Sequence, residues 1–299
     1  MKTLRILLLF FFVSIACQAQ VNILSDMQGL SDKGNYIFEV EGYAIIIEKN
    51  KIALDNKGIK KIKKKYDLKD VVREYRDTTF KWTNYVIEST SYDKSVPEVI
   101  NYQLCYLFPE TDDVTTAVFF ESLNRRNEDI EHAFMNAFFS REVLKYASDE
   151  WGADKINFAG RNISLGDVCS WVSPFNVHCP SFGQISWSVF REREDAEINN
   201  DAHLLINKKS GMYKMQAEED VDIIFEGIPT KAKRVIYKMN RSKVLLGGRN
   251  LLAVYYVVQK VRGRYLSSVL SHYIEDKSNY RLSPLLEEVM SLDTNSDNK

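Results

Sequence analysis

The segment Asn101–Phe108, NYQLCYLF, sets the terms for the fold, because Tyr102, Leu104, Tyr106 and Phe108 fall on one side of an extended chain. A run of that period is a half-buried strand, and it does not stand alone. Ile37–Lys49 (IFEVEGYAIIIEK), Trp82–Thr90 and Thr115–Ser122 are rich in β-branched and aromatic residues and read as further strands. A change of period follows. Asn127 is placed to cap a helix whose stripe of Ile130, Phe134, Ala137 and Phe138 would lie on the sheet, and the pattern runs to about Tyr146.

The last third repeats this order. Val221–Phe225, Lys233–Met239, Leu251–Lys260 and Tyr265–Tyr273 read as strands, with Arg262-Gly263 as a tight turn. Gly247-Gly248 reads as another turn. Ser283 and Pro284 then open a closing helix with Leu285, Leu286, Val289 and Met290 on its buried side. Runs of strands followed by a helix imply an α+β fold: antiparallel sheets with helices packed on one face, arranged as two similar sheet-and-helix units joined by a loop-rich middle segment. The expected boundaries are 20–150 for the first unit, 151–190 for the connection and 191–292 for the second, with a disordered tail at 293–299.

The first residues, MKTLRILLLFFFVSIACQAQ, combine a basic start, a short apolar core and small residues, the pattern of a secretory signal peptide over 1–19. Cleavage after Ala19 competes with lipid attachment at Cys17. Ser14 stands where a lipoprotein signal carries an aliphatic residue, which favours ordinary cleavage and a periplasmic or secreted protein. No later stretch is long and apolar enough for a membrane helix.

Export changes the meaning of the cysteines. Cys169 and Cys179 flank SWVSPFNVH and are expected to form a local disulfide, leaving Cys105 as a buried thiol in a strand. The competing reading, a cysteine nucleophile served by His178, is poorly matched to extended chain, where neighbours point to opposite sides.

No phosphate loop, nucleophile elbow, zinc-ligand spacing or calcium loop is present, so no metal or cofactor is expected. Lysines and arginines number 40 against 41 acidic residues, which gives no global field for nucleic acid. The lysine-rich helix Lys57–Lys69 reads as a solvated face, as does the mixed-charge run Arg191–Glu197. Glu218–Asp222 reads as a polar lead-in to a strand.

What remains is the middle segment. Arg161, Trp171, Asn176, His178 and Trp187 combine flat rings with directional polar groups, the mixture of a binding surface. The alternative is that both tryptophans fill a packing junction. The sequence therefore points to a non-catalytic binding protein for an unidentified protein or envelope ligand. A hydrolase-like enzyme with dispersed site residues is the other reading.

Overall fold

The computed structural model describes residues 24–92, 94–148, 155–180, 182–209, 213–239, 250–275 and 281–292. The expected signal sequence over 1–19, the expected turn at Gly247-Gly248 and the expected disordered tail at 293–299 lie outside the described residues.

The protein is α+β, built on two eight-stranded, mostly antiparallel sheets. The first contains β1 (Gln28–Asp32), β2 (Asn35–Val40), β3 (Tyr43–Asn50), β4 (Asp70–Tyr75), β5 (Tyr85–Ser91), β6 (Asn101–Thr111), β7 (Val114–Leu123) and β8 (Ala147–Ser148), in the order β4-β5-β6-β7-β3-β2-β1-β8. Only the short β1–β8 pairing is parallel among the described pairs of this sheet. A separate hairpin, β9 (Lys155–Phe158) and β10 (Arg161–Ser164), precedes the second sheet. That sheet comprises β11 (Ser170–Ser173), β12 (Asn176–Cys179), β13 (Gly183–Phe190), β14 (Tyr213–Phe225), β15 (Ile228–Met239), β16 (Leu251–Val261), β17 (Arg264–Ile274) and β18 (Met290–Leu292). Its order is β11-β12-β13-β17-β16-β15-β14-β18.

Tight turns hold the registers. Lys33-Gly34, Glu41-Gly42, Ala159-Gly160, Glu226-Gly227 and Arg262-Gly263 each have two successive residues at positive φ and close a two-residue hairpin. That geometry matches the right-handed twist of the paired strands, and glycine at the second position bears it without strain.

The middle segment departs from the expectation of a loop-rich connection. Residues 155–190 carry five strands, and β13 pairs with β17 over its whole length, Gly183 opposite His272 to Phe190 opposite Tyr265. Prolines and the closely spaced cysteines suggest a loop. Alternation in GQISWSVF, with Ile185, Trp187 and Val189 buried and Gln184, Ser186 and Ser188 half-buried, makes it a strand instead.

The helices also differ from the one-face arrangement in the first sheet. Helix α1 (Asn56–Lys65) sets Ile62 against Ile87, Cys105, Leu107 and Phe119, while α2 (Glu128–Phe139) sets Phe134 against Phe38 and Phe120. Phe119 and Phe120 are neighbours in a strand and point to opposite faces, so both faces are covered. Asn127 does cap α2, its Oδ1 accepting from the Asp129 and Ile130 amides. The helix ends at Phe139, short of Tyr146, because Arg141 adopts φ 62° and a 3-10 turn, Glu142–Tyr146, follows.

Helix α3 (Arg193–Lys209) lies where only a charged surface run was expected. Glu194 and Asp195 occupy its first turn, favourable beside the positive end of the helix dipole. Polar side chains form part of its contact with the sheet: Asn199 Oδ1 accepts from Ser267 Oγ at 2.9 Å, and Asn200 Nδ2 donates to Ser267 Oγ and the Ser268 carbonyl at 3.2 Å. The closing helix α4 (Pro284–Glu287) is a single turn, and Met290 enters β18. Glu218–Asp222 lies inside β14 and not before it, paired across to Lys233 and Lys231 by 2.8 Å contacts from Asp220 and Asp222.

Candidate functional site

Four of the five residues singled out in the sequence divide between two faces of the second sheet, and the fifth, Arg161, stands on the separate β9–β10 hairpin. Trp187 is 2% exposed and lies in the core, its ring 5.1 Å from Phe158 and 5.5 Å from Phe175. Trp171 packs against the same core, with Nε1 buried and unpartnered among the described residues. Arg161 is a clamp: it donates to Glu226 at 2.7 Å and to the Glu288 carbonyl at 2.6 Å, tying β10 to the β14–β15 turn and to α4. Asn176 and His178 turn the other way, since Val177 and Cys179 between and beside them are buried in the core. The structure thus gathers Asn176 and His178 and separates them from the two tryptophans. Cys169 and Cys179 are disulfide-bonded at the edge of the sheet.

His178 lines a groove of about 150 Å³. Strand register shows how it is built. His178 lies opposite Gln184, Gln184 opposite Ser271, and Ser271 opposite Val254, which makes one row across four strands. Asn176, Ser186, Val269 and Tyr256 form the next row, and Tyr273, Leu252 and Tyr237 a third. Side chains in such rows are neighbours on one face. Helix α3 covers the Ser267 end of this face, and Asn207 in its last turn donates to Tyr256 Oη at 2.9 Å, closing one wall. Tyr213, at the start of β14, and Met239 complete the lining. At the open edge Gly183 permits close strand approach: a Cβ there would lie 1.9 Å from the Ser271 carbonyl oxygen.

The groove is lined by hydrogen-bonding and apolar groups. Its lining holds histidine, tyrosine, serine and amide groups over a floor of Leu252, Val254 and Val269, and no Asp, Glu, Lys or Arg among the described residues. Burial pushes the Tyr237 and Tyr256 hydroxyls up, so both stay protonated and serve as hydrogen-bond groups. Glu218, whose charge reaches both phenols, is paired with Lys208 at 2.6 Å. Gln184, Ser186, Ser271, Asn207 and the tyrosines were not singled out in the sequence. The polar half of the β13 alternation was the available signal, once that stretch is read as a strand.

Other polar clusters are committed to structure. In the first sheet, a pocket of about 110 Å³ contains Arg126 between two carboxylates. Arg126 Nη2 donates to Glu131 at 2.8 Å and its Nη1 lies 3.1 Å from Glu88. Glu88 also accepts from Arg73 at 2.6 Å and Tyr75 at 2.7 Å, and Tyr43 donates to Glu131 at 3.1 Å. Burial raises the Glu88 pKa, but the hydrogen bonds from Arg73 and Tyr75 and the Arg126 charge prevail and hold it below the usual carboxylate range. Burial pushes the Cys105 thiol far up, which leaves no thiolate for attack. Among the described residues, no three His, Cys, Asp or Glu side chains converge to hold a metal ion. A larger cavity of about 380 Å³ beside α4 is walled in part by Glu275, Arg281 and Glu287, and gathers none of the five sequence-named residues.

No family model and no curated protein matches the chain. Among solved structures, the di-domain ARO/CYC BexL from the BE-7585A biosynthetic pathway aligns at 9% identity over 79% of this chain and 86% of its own, with a TM-score of 0.18. The di-domain ARO/CYC StfQ from the steffimycin biosynthetic pathway aligns at 10% identity over 88% and 77%, with a TM-score of 0.16. The dehydratase domain from the CurK module of curacin polyketide synthase aligns at 10% identity over 84% and 95%, with a TM-score of 0.14. Likenesses of this size carry no argument about fold or activity.

Proposed function

We propose that the protein is an exported, non-catalytic binding protein of the periplasm or cell envelope that takes a neutral ligand in the groove containing His178. One observation carries the reading: a concave face rich in aromatic and uncharged hydrogen-bonding groups, with no charged side chain among its described lining residues. A few directional polar groups over an apolar floor are what ligand recognition requires. Hydrolysis requires an activated nucleophile or a positioned acid and base, and the carboxylates of the Arg126 cluster are tied in ion pairs. Export is supported by the signal-like residues 1–19 and agrees with the Cys169–Cys179 disulfide. Cleavage after Ala19 is the preferred processing, with lipidation at Cys17 as its alternative.

The test is to incubate the mature protein with size-fractionated glycan and metabolite pools from its own envelope and to recover what it retains. Ligand recovered chemically intact, with retention lost in a His178→Ala, Gln184→Ala double variant, supports binding. Recovery of cleaved products would replace this reading with the hydrolase.

A further inference from the structure

We infer that the groove's ligand is a neutral saccharide, held by one terminal ring with the remainder in solvent; this rests on the binding reading above. A sugar ring has a weakly apolar C–H face and hydroxyls that both donate and accept. The groove supplies the counterpart to each. Tyr213 and Tyr273, both half-buried in the lining, offer flat and apolar surface, while Gln184, Ser271 and Ser186 stand in adjacent rows with groups that donate and accept in turn.

Charged and purely apolar ligands fit less well. An ionised group laid in this groove would lose hydration with no Asp, Glu, Lys or Arg among the described lining residues to pair with it, a cost on the order of several kcal/mol. A hydrocarbon would strip water from Gln184, Ser186 and Ser271 without replacing its hydrogen bonds. Size narrows the choice further. At about 150 Å³ the groove is well below the roughly 300–1,000 Å³ of sites that enclose a drug-sized molecule, so it holds a single ring and leaves the rest of a chain outside.

The test is a ligand-observed NMR titration of the mature full chain. The probes are methyl glycosides of neutral hexoses and of an N-acetylhexosamine, a hexuronic acid, a hexosamine and an uncharged aromatic alcohol. At least one neutral glycoside is expected to bind, with the uronic acid and the amine at least tenfold weaker. Gln184→Ala and, as an independent second variant, Ser271→Ala should each weaken that binding about tenfold, with circular dichroism confirming that each is folded. Tighter binding of the charged or aromatic probe, reduced by the same variants, would overturn the saccharide assignment and leave the binding reading standing. Sugar binding indifferent to both folded variants would overturn the placement in this groove. Cleavage of a bound glycoside would overturn the non-catalytic reading itself.

Discussion

Trp187 and His178 lie close in sequence and belong to different parts of the protein's chemistry. One is 2% exposed among Phe158 and Phe175, the other half-buried on the opposite face of the sheet. Trp187→Ala should therefore lower unfolding free energy by about 3–5 kcal/mol. His178→Ala should change it by no more than about 0.5 kcal/mol, as for other surface positions. Urea unfolding of the two variants checks the assignment, and a His178 variant as damaged as the Trp187 variant would reverse it. The disulfide was legible from the sequence because a signal-like start and a ten-residue separation act together. The division of the aromatic set was not, because the side to which a residue points depends on whether its stretch is extended, and SWVSPFNVH carries turn-forming residues within it.

At the scale of elements, strands β2, β3, β5, β6 and β7 and helices α1 and α2 could be read from their period, with Asn127 marking the start of α2, since their buried positions are mostly apolar; β1, β4 and β8 could not. Helix α3 could not. Asn199 and Asn200 are buried and bonded to Ser267, so polar residues interrupt the apolar stripe by which an amphipathic helix is recognised. The Arg126 cluster was invisible for a related reason: Arg73, Glu88, Arg126 and Glu131 come from β4, β5 and the start of α2, and only strand pairing brings them together. Glu131 is 1% exposed, and Arg126→Met would leave its charge without its main partner. The expected cost is about 3–5 kcal/mol, read as a lower midpoint in urea. A double variant, Arg126→Met with Glu131→Leu, should recover part of that loss, because two apolar groups replace a pair that had to be desolvated together.

Across the whole molecule, the two sheets meet through polar contacts and a small apolar patch. Glu41 pairs with Arg191, Arg125 with Asp195, and Asp26 with Arg264, while Val96, Val99, Ala202, Leu205 and Ile206 form the patch. Glu39 of β2 accepts from Ser173 Oγ of β11 at 2.7 Å, and burial pushes its carboxyl up to about 7 although that hydrogen bond and one from the Phe175 amide favour the charged form. The folded state thus holds this proton more tightly than the unfolded chain. Glu39's contribution to stability is full below the ordinary carboxylate range and is lost as pH rises toward about 7. Glu39→Gln should flatten that part of the stability-against-pH curve, and an unchanged slope in thermal unfolding would refute the assignment. Binding is assigned to one face of the second sheet, and amide shifts in the isotope-labelled mature protein, titrated with the neutral glycoside it binds best, report on that face directly. Shifts centred on residues 176–186 and 269–273 are the predicted result; shifts centred on the Arg126 pocket, or none in β12, β13 and β17 at saturation, would contradict the account.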